Sequence, residues 1–256
     1  MQRSYRLAIA SVIAIASTAA AEARDLVTRP LVLAPDQIAA DLHLEIGLDK
    51  NYAGDVVSFA PDAWWGVARN WTLGVTHGNA SVDRIDAGAT VCIRRTSGTC
   101  DRAYHGSNVD LRWLARDGSL AIAPRARLLV RDVDPWKPAL TLGALVRWTR
   151  GRFAITSDPY LRLGLLNTGR GNRTNLVVPL WLAMQPAPRL MLAVHTGYDA
   201  DLAVALDGFH VPLTLVLRAA VTAHVDLVVE GGFPSTLGPQ NTSGTRSLIL
   251  TFAWRS

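Results

Sequence analysis

Apolar side chains recur at every second position along most of this chain. In "AADLHLEIGL", Ala40, Leu42, Leu44, Ile46 and Leu48 share one face, and Asp41, His43 and Glu45 share the other. Successive side chains of an extended backbone point to opposite sides, so a period of two predicts a strand with one apolar face. About twelve segments read this way. After the first come "VVSFAPDAWWGV", "WTLGVTHG", "VDLRWLA", "SLAIAPRARLLVR", "ALTLGALVRW", "FAITSDPYLRLGLL", "NLVVPLWLAM", "LMLAVHTGY", "FHVPLTLVLRA", "HVDLVVEGG" and "SLILTFAW". In the last, Leu248, Leu250, Phe252 and Trp254 alternate with Ser247, Thr251 and Ala253; Ile249 is the one apolar exception.

The connections alternate in length. Short turns ("ARN", "RDG", "TRGR", "QPAPR") alternate with longer polar loops, the longest at about residues 78–107. An even strand count, strands of about ten residues, and one trimmed end opposite one elaborated end predict an all-β fold. The expected form is a closed antiparallel transmembrane up-and-down β-barrel of about 12 strands over residues 38–256. A soluble β-sandwich shares the one-sided apolar pattern. It fits less well, because the polar faces are rich in arginine and about twelve long strands suit one ring better than two stacked sheets. Aromatics near strand ends (Trp65, Trp71, Trp113, Trp148, Phe153, Tyr198, Trp254) fit interfacial girdles.

The front of the chain bears on compartment. Arg3 and Arg6 precede an apolar run from Leu7 to Ala16, and small residues follow. This is the layout of a secretory signal peptide over residues 1–23, too short for a spanning helix. Residues 24–37 then form a short periplasmic segment before the first strand. The formal charge of +5 is not gathered into a basic block, which argues against nucleic acid. Cys92 and Cys100, in "CIRRTSGTC", are the two cysteines. In an exported chain such a pair predicts a disulfide closing a small loop. One nearby His105 does not make a metal site, and no cofactor motif is present.

Over nearly its whole mature length the chain resembles Gram-negative outer-membrane β-barrel proteins. The resemblance implies outer-membrane lipid as surroundings. It also implies that Phe252 and Trp254 are the C-terminal strand signal read by the barrel-assembly machinery. Here Arg255 and Ser256 trail behind them, a departure from the usual pattern. Outer-membrane phospholipases with twelve strands use a His-x-Ser pattern on the lipid face. "VTHGNAS" offers His77, but Asn79 stands where the nucleophile belongs and Ser81 falls beyond. The expectation is therefore not an enzyme, with a lipid hydrolase as a lesser alternative. Four Asn-x-Ser/Thr matches are chance occurrences in such a location.

Placed in order around a ring, the inward charges separate. Arg112, Arg125, Arg127, Arg131, Arg147 and Arg162 come from the fourth to seventh segments and form a basic arc. Asp41, Glu45, Asp62, Asp226 and Glu230 form an acidic arc opposite. Facing arcs would impose a transverse field on small solutes or ions in a wet lumen. The expected function is a passive channel for small polar or anionic solutes. The alternative is a structural or surface-binding barrel whose inward charges pair and fill the lumen, with Asp110 beside Arg112 and Asp158 four residues before Arg162. His43, His195, His210 and His224 also face inward by the alternation, as scattered lumen residues rather than a metal site.

Overall fold

The computed structural model describes residues 25–48, 53–77, 91–95, 107–133, 135–204, 207–239 and 246–256. Its strands are β1 (Ile38–Leu48), β2 (Ala53–Ala68), β3 (Trp71–Thr76), β4 (Val91–Arg95), β5 (Ser107–Trp113), β6 (Leu120–Val133) and β7 (Trp136–Arg150). There follow β8 (Phe153–Ser157), β9 (Tyr160–Gly164), β10 (Asn175–Ala187), β11 (Leu190–Asp201), β12 (Phe209–Ala220), β13 (Val225–Leu237) and β14 (Ser247–Arg255). All pair antiparallel in chain order, and β1 pairs with both β2 and β14, so the sheet closes into a ring of 12 strand positions. Closure removes the edges of the ring, as a lipid environment demands; among the described strands only the short β4 has a single partner, β2. The closing seam aligns Leu42 with Phe252 and Leu44 with Leu250.

Two ring positions hold two strands each. β8 and β9 keep one register against β7 and one against β10, from Val146↔Ser157 to Gly143↔Tyr160 and from Leu180↔Ser157 to Val177↔Tyr160. They are one strand whose pairing is interrupted at Asp158–Pro159, because proline has no N–H to donate. The segment "FAITSDPYLRLGLL" reads this stretch as one element. β4 and β3 also share a position, both against β2. β4 lies in the stretch expected to be loop; its five residues alternate too briefly among polar neighbours to register as a strand.

The alternation sorts the two faces. On β3, Trp71, Leu73 and Val75 are exposed on the outer wall while Thr72, Gly74 and Thr76 are buried inside. Trp65, Trp71, Trp113, Trp148, Phe153 and Trp254 are exposed on the outer wall at the short-turn end. Trp71 and Trp113 sit opposite each other there with stacked rings. Tyr198 lies toward the other end, stacked on Phe209. The short turns use left-handed residues: Asn70 (φ 68°) between β2 and β3, and Gly151 (φ 58°) between β7 and β8.

Residues 25–37 do not hang below the barrel; they run inside it. Leu26, Val27, Val32 and Leu33 are buried. The Leu26 and Val27 amides donate to Gln185 Oε1 on β10. The Leu33 amide donates to Thr72 Oγ1 on β3, and the Asp36 amide donates to the Gly66 carbonyl on β2. β10 and β2 are diametrically opposite in the strand order. The nine residue steps from Val27 to Asp36 extend to at most about 32 Å, and twelve strands enclose roughly 24 Å at the backbone. The segment is therefore a strap across the full lumen at the short-turn end. Gly66 permits its close approach: a Cβ there would stand 1.9 Å from the Ala34 carbonyl oxygen.

Candidate functional site in the barrel lumen

All the basic-arc residues with described side chains point inward. Arg112 Nε donates to Asp110 Oδ2 at 2.6 Å and its guanidinium lies over Trp64, 5.3 Å from the ring centre. Gly74 makes room for that indole, since a Cβ would stand 2.3 Å from it. Arg125 Nη1 meets Asp158 Oδ2 at 2.7 Å and packs over Tyr160. Arg127 Nε lies 3.9 Å from Asp110 Oδ1. Arg162 is buried, across from Thr141 and Asn175. Arg147 is buried and donates to the carbonyl of Arg29 in the strap. Arg131 belongs to β6, with its side chain outside the described residues.

The acidic arc is also inward, and Asp41, Asp62, Asp226 and Glu230 have nearby cations or histidines. Asp226 pairs with Arg29 of the strap and lies 3.7 Å from Arg218 Nε. Glu230 Oε1 is held by His195 Nδ1 at 2.8 Å and by the Thr214 hydroxyl at 2.7 Å. Asp62 accepts the His77 amide at 2.6 Å and stands 3.4 Å from His43 Nε2. Asp41 lines the lumen cavity near Arg218 and Arg255. Glu45 is half-buried, across from Ser58 and Ile249.

Two partner expectations change. Asp158 serves Arg125 on β6, two ring positions away, rather than Arg162 on its own strand. His224 does not face the lumen; it sits in the exposed turn before β13 and bonds the Arg255 carbonyl. The other three histidines stand apart, each near its own carboxylate: His43 by Asp62, His195 by Glu230 and His210 by Asp199 at 3.8 Å. No group of three metal-ligating side chains occurs among the described residues. The His77 ring bonds the Pro61 carbonyl, while Asn79, Ser81 and Cys100 lie outside the described residues. Cys92 belongs to β4, with its side chain likewise outside them.

The alternation did not reveal the strap, nor Arg29, Arg218 and Arg255 as lumen cations. A signal was present. Ala154, Ala183, Ala193 and Val216 are buried inside the ring with Val27 of the strap, and Trp181, Met191 and Val228 pack against them. Ile249, the apolar exception on β14, is buried there too, aligned with Glu230 on β13. An apolar patch inside a ring whose interior should be polar marks a surface that another segment covers. A cavity of about 340 Å³ remains beside the strap, lined by Arg29, Arg112, Arg147, Arg218 and Arg255 among others.

No family model and no curated relative matches the chain. Solved outer-membrane barrels do match its fold. The KdgM porin in complex with disordered oligogalacturonate superposes with a TM-score of 0.54 at 8% identity, over 84% of this chain and 98% of that one. The NanC porin gives a TM-score of 0.58 at 8% identity, with coverages of 84% and 98%. The COG4313 outer membrane channel from Pseudomonas putida F1 gives 0.53 at 11% identity, with coverages of 88% and 97%. The chain thus has the closed antiparallel fold of outer-membrane porins and channels. At these identities the likeness is one of fold.

Proposed function

We propose that this protein is an outer-membrane channel for passive passage of small polar or anionic solutes, not an enzyme. The observation that carries the reading is the charge imbalance of one lumen wall. Among the described residues, β5 to β9 present Arg112, Arg125, Arg127, Arg147 and Arg162 inward, against Asp110 and Asp158 as inward carboxylates of that wall, with Asp25 of the strap and Asp117 of the short turn acting on Arg147. A wall with surplus guanidinium groups attracts anions and repels cations along a wet path. In this reading residues 1–23 are a cleaved leader from a Gram-negative host, and the short-turn end with the strap faces the periplasm. Lipid covers the outer wall, and the assembly machinery reads Phe252 and Trp254.

The strap favours a second reading, a structural barrel whose lumen is closed. Planar-bilayer recording separates the two. A channel gives discrete current steps, and replacing Arg125, Arg127 and Arg147 by Ala lowers its anion-over-cation preference. A folded barrel that passes no current, with or without the strap, overturns the channel reading.

A further inference from the structure

The cavity beside the strap has two chemically different sides. One is apolar: Leu145, Trp181, Met191 and Val228 line it and are only half-buried, whereas Val27 fills the alanine recess next to them. The other side presents Arg147, which is 5% exposed. Its Nη1 donates to the Arg29 carbonyl, its Nε has no hydrogen-bond partner, and it forms no ion pair with a carboxylate among the described residues. Asp117 and Asp25 attract it electrostatically without forming an ion pair, and a guanidinium withdrawn from water without a direct carboxylate partner is unfavourable. Its fork of donors matches a carboxylate. The register runs Arg147↔Thr156 and then Thr156↔Trp181. Two strand spacings, about 10 Å, therefore separate the backbones that carry the cation and the indole. Two carboxylates reach the cavity as well. Glu230 is held by His195 and Thr214, and Asp41 lies on the far wall near Arg255.

We propose that this cavity binds a small organic anion with an aromatic or short aliphatic body. Its carboxylate sits on Arg147 and its body rests against Trp181, Met191 and Val228. The proposal rests on the channel reading of the same lumen and names the solute class. Apolar contact and charge must act together, so neither a bare anion nor a neutral apolar molecule satisfies both sides.

Calorimetric titration of the whole folded protein in detergent tests this, with benzoate as the probe and acetate and benzyl alcohol as comparisons. Benzoate is expected to bind saturably, and each comparison compound at least tenfold more weakly. Arg147→Gln should weaken benzoate at least tenfold and leave benzyl alcohol unchanged. Met191→Gln, which keeps the cation, should weaken benzoate and leave acetate unchanged; it carries the test if Arg147→Gln does not fold. Heat-modifiable gel mobility shows which variants are folded. Benzoate binding no tighter than acetate, or unchanged in a folded variant, overturns the proposal. Bilayer current reports the channel separately. Benzoate binding without current ends the channel reading alone, and current without benzoate preference ends the site alone.

Discussion

Arg29, nine residues before the first strand begins, forms an ion pair with Asp226 on β13, inside the ring. The same residue's carbonyl accepts from Arg147 on β7. One strap residue thus ties together two distant parts of the wall. The hold is polar at Gln185, Asp226 and Thr72 and apolar at Val27.

The strap should limit conductance. Gly66→Val places carbon where the Ala34 carbonyl now lies, with the nearest contact at 1.9 Å for the first added atom alone. Backbone must then move, and the strap is the part not held in the sheet. Single-channel conductance is expected to rise at least twofold, and Arg29→Ala should shift it in the same direction. Strand content by circular dichroism should stay unchanged. Unaltered current in both variants would show that the strap is no obstacle to ions.

Arg125 and Asp158 form a lumen-wall pair whose side chains are 2% and 7% exposed. Removing one partner strands the other charge, at a cost of about 3–5 kcal/mol. Asp158→Asn should therefore lower the urea midpoint of the barrel in lipid vesicles markedly. The double variant Arg125→Met with Asp158→Leu should lose much less, since neither partner of the pair is left buried alone. Equal losses would mean that the pair itself supplies the stability.

Glu230 takes two bonds at one oxygen, from His195 and from the Thr214 hydroxyl. Glu230→Gln keeps an acceptor there. Glu230→Leu leaves both partners buried and unsatisfied, about 1–3 kcal/mol for each. Urea unfolding should rank the leucine variant well below the glutamine variant. Equal midpoints would place water at the His195 ring.

The ring was legible because it follows from a period of two, which is local. The twelve segments coincide with the twelve ring positions, including the joined β8–β9. β4 escaped because Val91–Arg95 offers too few residues for a period. Inward orientation of the arginines was legible for the same local reason, but their partners were not. Arg125 finds Asp158 only through cross-strand register, and register between separated strands is not written in either strand alone. The strap was invisible because its residues have no period at all. Its trace lay in the receiving wall, where Ala154, Ala183, Ala193 and Val216 occupy inward positions that a water-filled lumen would give to polar groups.

The outer wall carries the last expectation. Leu142 lies midway along β7 and is 47% exposed, while Phe153 lies beside the short turn and is 56% exposed. In water the two exposures would make arginine about equally harmless. In a bilayer the cost depends on depth, about 2–4 kcal/mol at the mid-plane and about 0–1 kcal/mol near the interface. Leu142→Arg should therefore destabilise the vesicle-folded barrel by about 2–4 kcal/mol, and Phe153→Arg by far less, as read from urea titrations. The ordering matters more than either value, because a soluble sheet protein has no axis along which it could arise. Equal, small effects at both positions would remove lipid from the outer wall, and with it the reason for the ring to close.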